Sequence, residues 1–169
     1  RDLVSSTGRP AFLLAWTTTP WTLPGNTALA VNADAAYAVL SGPDDCLIMA
    51  AALVDAVGVS DHQIVGTVPG SSLVGLRYDP LYNPHDFGVQ RLSMPAFEAQ
   101  SRPEKLSYRV IAADFVSLDD GTGIVHVAPS FGEVDFEAGM REGLDFVQQV
   151  DLDGKVTGTY SFAGKFVKT

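Results

Sequence analysis

A chain of 169 residues, 46% hydrophobic and carrying 20 acidic against 11 basic residues for a net charge of −9, is long enough to bury one sizeable core. The acidic balance works against a broad phosphate-neutralising surface, so any nucleic acid bound here is held only by a small end. No apolar run approaches the roughly 20 residues that cross a bilayer, the opening "RDLVSSTGRP" lacks the apolar stretch of a secretion signal, and the single cysteine, Cys46, allows neither an internal disulfide nor a thiolate metal cluster. These features lead to the expectation of one soluble domain in a reducing cytosol, with no membrane partner.

In chain order, short β-type runs are predicted at 11–16, 27–31, 36–40, 46–50, 62–68, 107–113 and 123–127, separated by turn-forming Gly, Pro, Asn and Asp. That spacing is the pattern of a β-rich barrel. Helical pattern is scarcer: "AALVDAVG" (51–58) reads as a short helix ended by Gly58, and 131–143 as a longer one. The region 77–106, with Pro80, Pro84, Pro95 and Pro103, reads as an irregular excursion covering the barrel. His62, His85 and His126 stand far apart, without the spacing of a ligand pair, so a structural metal is not expected. The final "GKVTGTYSFAGKFVKT" stops without a cap, as if the chain were cut from something larger.

Two stretches carry chemistry. In "AWTTTPWTLPGNTALAVN" (15–32), three threonines lie where the apolar run "AFLLAW" gives way to Pro20 and Pro24, which forbid an uninterrupted central strand. Taken alone, a threonine run is better explained by the fit of β-branched side chains to a strand face. In "DDGTGIVHVAPSFGEVDFEAG" (119–139), the DGTG turn opens a strand whose alternation places Ile124, His126 and Ala128 on one face, and Pro129 ends it. Ser130 and Glu133 have the spacing of a capping box. At about 100° per residue, Asp135 lies within roughly 40° of Phe131 and beside Val134 and Ala138, on the apolar side of the predicted helix. A carboxylate there is costly without a partner. Alone, such a histidine is more often a satisfied strand residue than a working one, and such an aspartate more often a rim or surface carboxylate.

Together, "WTTTPWTLPGN" (16–26) and "GTGIVHVAPSFGEVD" (121–135), with "PGSSLVGLRYDPLY" (69–82) and "GKVTGTYSFAGKFV" (154–167) in the same order, closely resemble the editing (CP1) domain inserted into isoleucyl-tRNA synthetases, class I aminoacyl-tRNA synthetases. Thr19 stands where the valyl and leucyl branches typically carry the arginine of a TTRP peptide, and those branches lack the His-x-Ala-Pro pattern seen at 126–129. The resemblance implies a mainly β fold, a small closed β-barrel decorated by a few short helices, with residues 1–169 forming a single editing domain of a larger synthetase. The implied activity is hydrolytic proofreading of mischarged valyl-tRNA(Ile), with valyl-adenylate as a second substrate. One missing methylene is worth only about 1–3 kcal/mol in a binding pocket, so valine needs a second sieve.

Under this resemblance Thr17, Thr18, Thr19 and Thr22 wall a pocket, with Trp16 and Trp21 fixing its backbone by burial. Asp135 pairs with the α-ammonium of the substrate. His126 crowds the end that receives the amino-acid side chain. Gly132 and the threonine peptide offer donors to the developing oxyanion, Ala128 lies on the same strand face as His126, and Phe131 stacks on the terminal adenosine. The lack of a Ser-His-Asp or Cys-based motif favours direct attack by a positioned water over a covalent acyl-enzyme. No cofactor is expected. The implied partners are the 3′ CCA end of tRNA(Ile) carrying valine, valyl-adenylate and the rest of the parent synthetase in cis. Without HIGH or KMSKS signatures, this piece is not expected to aminoacylate tRNA, and it is expected to be monomeric and cytoplasmic. The alternatives are an editing domain of the valyl or leucyl branch, and a non-catalytic barrel that positions the tRNA 3′ end.

Overall fold

The computed structural model describes residues 8–93 and 106–167. By its internal contacts the chain divides into two compact units, one of residues 1–18, 29–78 and 109–126, the other of residues 19–28, 79–108 and 127–169. The division passes through both chemistry-bearing stretches, between Thr18 and Thr19 and between His126 and Val127.

The first unit is built on a four-stranded sheet in the order β1-β4-β3-β5, from Ala11–Leu13 (β1), Ala36–Ser41 (β3), Cys46–Ala50 (β4) and Gln63–Pro69 (β5). β1 runs parallel to β4, pairing Ala11 with Cys46, while β3 runs antiparallel to both β4 and β5. A bulge between Val39 and Leu40 shifts the register against β5. β5 forms an edge of the sheet and is exposed along almost its whole length, with Ile64 and Val65 in solvent. Between β4 and β5, a 3-10 turn at Ala51–Leu53 runs into the short helix α1 (Val54–Val57), which Gly58 ends in the left-handed conformation that glycine adopts without strain.

A three-stranded sheet in the order β7-β2-β8 joins Ala28–Val31 (β2), Arg109–Ala112 (β7) and Ile124–Val127 (β8), most of it within the first unit. The all-apolar "ALAV" of β2 is buried at every position, as a central strand covered on both faces requires. Leu29, Val31, Tyr37, Leu40, Ile48, Met49, Leu73, Val110 and Ile124 form the core of this unit. Leu73 comes from a short helix, α2 (Gly70–Leu73), that the sequence pattern did not mark. The Tyr37 hydroxyl, fully buried, donates to the Gly123 carbonyl at 2.7 Å and accepts from the Asn32 backbone N–H at 2.9 Å.

The second unit pairs Arg91–Ser93 (β6) antiparallel with Asp145–Val147 (β9) and holds the longest helix, α3 (Glu133–Glu142). A second core of Val89, Val147, Val156 and Tyr160 is packed by Tyr82, Phe87 and Phe162, with the Phe87 and Tyr160 rings stacked at 4.2 Å.

Three expectations need correction. The architecture is mainly β with few short helices, but no sheet closes into a barrel among the described residues. Isolated bridges occur at Trp16–Val125 and Arg77–Arg109, where Val125 and Arg109 belong to β8 and β7 but Trp16 and Arg77 lie outside any strand, so neither contact extends into a ladder. The part of 77–106 that is described does not cover a barrel: it carries a 3-10 turn at Pro84–Phe87 and strand β6, and its Tyr82 and Phe87 pack on the second core while Tyr78 packs on the first. Residues 94–105 of that region, with Pro95 and Pro103, lie outside the described residues. The capping box at Ser130 does not form. The N-cap of α3 is Gly132, without a side-chain cap bond, and the Ser130 hydroxyl instead donates to the Val147 carbonyl at 2.6 Å, a stronger use of a hydroxyl that lies beside a strand end.

Candidate functional site

The first unit holds Trp16, Thr17, Thr18 and His126. The DGTG turn that leads into β8 has both glycines at positive φ, Gly121 at 70° and Gly123 at 68°. A Cβ on Gly123 would lie 2.3 Å from that of Ala50, so the turn requires glycine for space as well as for conformation. The turn is fixed to β4 through the Ala50 N–H, which the Thr122 carbonyl accepts at 2.8 Å. β8 then carries Ile124 and His126 inward, as the alternation predicts. Ala128 is buried but lies beyond the end of β8 at Val127, so it extends the segment rather than sharing the strand face.

Trp16 departs from expectation. It is 55% exposed, with its ring lying alongside Gly121 rather than buried to fix the threonine peptide. The peptide is held there by its backbone: the Trp16 N–H donates to the Ile124 carbonyl at 3.1 Å, alongside β8. One residue further, Thr17 Oγ1 lies 3.3 Å from His126 Nε2, bringing together two residues 109 positions apart. Thr18 is exposed. His126 is 7% exposed, and burial pushes its pKa below the ordinary value near 6.5, so the imidazole is neutral at physiological pH. It presents a polar but uncharged surface with a hydroxyl partner already in place.

The second unit holds Thr19, Trp21, Thr22, Ala128, Phe131, Gly132 and Asp135. Pro20 and Pro24, rather than merely ending a strand, stand inside a 3-10 turn at Pro20–Gly25, whose opening proline has the fixed φ that a helical first turn favours. The Thr19 carbonyl accepts both the Thr22 N–H at 3.0 Å and the Thr22 hydroxyl at 2.8 Å. Thr22 is thus buried and closes the turn, while Thr19 is exposed. Trp21 packs edge-on against Phe131 with ring centroids 5.1 Å apart.

Asp135, in the first turn of α3, is partly buried, and its Oδ2 accepts the Ala128 N–H at 3.0 Å. Burial raises its carboxyl pKa, and that hydrogen bond pulls in the opposite direction. Val134 and Phe136 on either side are exposed, and Ala138 is buried, so Asp135 lies on the inward side of an otherwise open helix. A carboxylate of this kind, raised by desolvation and holding one backbone donor, has acceptor capacity left for a cationic ligand.

Sequence reasoning missed Gln149 and Asn26 in this unit. Gln149 is fully buried and its amide donates to the Trp21 carbonyl at 3.3 Å. Asn26 is buried and donates to the Ala28 carbonyl at 2.7 Å. The signal for Gln149 was present: an amide pair in "FVQQV" interrupts an apolar run, and a polar residue inside such a run marks a buried hydrogen bond.

No family model matches the chain. At 50% identity over 165 residues it is similar to an isoleucine–tRNA ligase of Dehalococcoides mccartyi (strain CBDB1), an alignment that covers 98% of this chain and 16% of that protein. An isoleucine–tRNA ligase of Clostridium tetani is 41% identical over 85% of this chain and 12% of its own length, and one of Picrophilus torridus is 37% identical over 92% and 14%. The chain therefore spans 12 to 16% of the length of these curated relatives. Among solved structures, the editing domain of the Plasmodium falciparum cytosolic leucyl-tRNA synthetase superposes with a TM-score of 0.59 at 11% identity, over 84% of this chain and 55% of that one. The corresponding domain of Plasmodium knowlesi superposes at 0.56 and 18% identity, over 80% of this chain and 53% of that one. The chain is homologous to a segment of isoleucine–tRNA ligases, and its fold is that of the synthetase editing domains.

Proposed function

We propose that this chain is the editing domain of an isoleucyl-tRNA synthetase, spanning 1–169, and that it hydrolyses valine from mischarged valyl-tRNA(Ile). The observation that carries the reading is the pairing of an isoleucine–tRNA ligase sequence, over 98% of the chain, with an editing-domain fold. The physical need is clear, because a pocket made for isoleucine discriminates against valine by only about 1–3 kcal/mol.

In the proposed reaction the Asp135 carboxylate holds the α-ammonium of the valyl group by a charge-assisted bond, which offsets the cost of its partial burial. The neutral His126, with Thr17 at its Nε2, bounds the end of the pocket that receives the valine side chain and leaves no room for isoleucine. Thr18, Thr19 and Thr22 complete the wall, Trp21 supports it, and Gly132 and Phe131 receive the reacting ester and the terminal adenosine; Trp16 and Ala128 flank the same segments. A water oxygen attacks the ester carbonyl, the bond to the ribose oxygen breaks, one water proton goes to that oxygen and the other leaves the new carboxyl group. Products are free valine and tRNA with its hydroxyl restored. Positioning supplies the acceleration, since fixing a water and an ester in reacting geometry removes much of the entropic barrier. Valyl-adenylate is the second substrate, and the parent synthetase acting in the cytoplasm supplies amino-acid activation and most of the grip on tRNA. No helix among the described residues is long and apolar enough to cross a membrane.

The test is decay of valyl-tRNA(Ile) in the full-length protein that contains this chain. Hydrolysis of valyl-tRNA faster than of isoleucyl-tRNA supports the reading. Absence of hydrolysis overturns it in favour of a non-catalytic module that only positions the tRNA 3′ end, and preference for threonyl- or methionyl-tRNA moves the chain to the valyl or leucyl branch.

A further inference from the structure

Resting on the hydrolytic reading above, the geometry points to Gln149 as a positioning residue that sets the size gauge of the pocket through the Pro20–Gly25 turn. Three observations within the second unit converge on it. Gln149 is 0% exposed, and its Nε2 donates to the Trp21 carbonyl at 3.3 Å, in the middle of the turn that follows Thr19. Gly25, at the end of the same turn, leaves room for it: a Cβ there would lie 2.8 Å from Gln149 Oε1 and 2.8 Å from Phe131 Cε2. The backbone of Gln149 is itself fixed, because its carbonyl accepts the Thr157 N–H at 2.8 Å.

The same strand end holds the other half of the unit's chemistry. Val147, two residues before Gln149, accepts the Ser130 hydroxyl at 2.6 Å, and Phe131 packs on Trp21. The segment 147–149 thus grips the threonine turn by one hydrogen bond and the approach to α3, and so to Asp135, by another. A buried amide loses water on folding and regains little from one long hydrogen bond, so an apolar residue of the same shape would serve packing at least as well. What the amide adds is direction. It fixes where the Trp21 carbonyl points and therefore how Thr19 and Thr22 stand relative to the ligand.

A merely structural role and a positioning role differ in selectivity. Loss of stability lowers hydrolysis of every substrate together, whereas a loosened wall lowers valyl-tRNA hydrolysis and relaxes exclusion of isoleucine. The experiment compares Q149M, close in shape and without the donor, with G25A, which leaves the amide intact but pushes Gln149 and Phe131 off the turn. Both are made in the full-length protein, with D135A and the unaltered enzyme alongside, and kcat and KM are measured on valyl- and isoleucyl-tRNA(Ile). The expected result for Q149M is a fall of about tenfold in kcat for valyl-tRNA, KM within about twofold, and a valyl-to-isoleucyl rate ratio reduced at least about fivefold. G25A should show the same loss of ratio. A ratio unchanged in both variants overturns the inference, as does an equal fall on both substrates. If the unaltered enzyme hydrolyses valyl-tRNA and D135A does not, such a result removes the role of Gln149 alone. An unaltered enzyme without hydrolysis removes the underlying reading and this inference with it.

Discussion

The Asp135 carboxylate accepts the backbone N–H of Ala128, seven residues earlier, at 3.0 Å. This single bond folds the segment between β8 and α3 back on itself and leaves the carboxylate partly buried at the start of a helix whose neighbouring side chains face water. Its geometry separates two substitutions that remove the same charge. D135A takes away both the charge and the acceptor for Ala128, whereas D135N keeps an oxygen for Ala128 and removes only the charge. Both are expected to slow valyl-tRNA hydrolysis by about 10- to 100-fold, the worth of one charge-assisted bond. Their stabilities should diverge: at pH 7 and without ligand, D135N should melt about 1–3 °C above the unaltered protein and D135A below it. Because the folded protein takes up the Asp135 proton above the ordinary value of 3.8, the destabilising charge is present at neutral pH and disappears as pH falls through the raised value. The advantage of D135N should therefore shrink toward acid, measured by thermal melts across pH 4 to 7.

His126 is assigned to excluding isoleucine. H126A should raise isoleucyl-tRNA(Ile) hydrolysis by about tenfold or more, since room for one methylene is worth about 1–3 kcal/mol. Equal isoleucyl rates in variant and parent would remove the steric role of this side chain.

The same residue predicts an acid limit. Burial places the folded pKa of His126 below 6.5, so the unfolded chain takes up the proton first as pH drops. Its contribution is complete above about pH 6.5 and is lost as pH falls from there toward the depressed folded value. Urea midpoints at pH 7.5 and 5.5 should show a decline in the unaltered protein that is smaller in H126Q. A decline equal in both would assign the acid sensitivity elsewhere.

At Gly123, φ of 68° and a Cβ that would lie 2.3 Å from the Ala50 Cβ forbid any larger residue. G123A is expected to cost about 2–4 kcal/mol in urea unfolding, combining left-handed strain with overpacking. G121A, whose Cβ would meet the exposed ring of Trp16, should cost less because that ring can swing into solvent.

The strands were legible because their signal is local. Runs such as "ALAV", "AYAVL" and "CLIMA" alternate or bury their residues over the few positions the eye can read, and they appear within a residue or two of where the pattern puts them. Gly58 was legible as a helix end for the same reason. Closure of a barrel was not, because it depends on which edges meet, and a lone bridge such as Trp16–Val125 leaves no trace in composition. The burial of His126 followed from β8 alternation, but its meeting with Thr17 spans 109 residues and no spacing rule reaches so far. Ser130 shows the converse: a capping box fits its spacing, yet a strand carbonyl 17 residues later competes for the hydroxyl and wins. Trp16 was placed inside on the resemblance, as a support of the pocket wall, although an indole can rest one edge on a glycine turn and leave the other in water.

β5 carries a consequence for handling the isolated chain. From Gln63 to Val68 it offers a second strand a row of backbone donors and acceptors, with Ile64 and Val65 exposed along it, and among the described residues the bulge opposite Val39 and Leu40 and Pro69, which has no N–H, interrupt that row. β5 itself carries no charged side chain. Concentrated preparations are therefore prone to ladder-to-ladder templating and gelation through this margin, and V65K, which adds charge without touching either core, is the simplest gatekeeper to install.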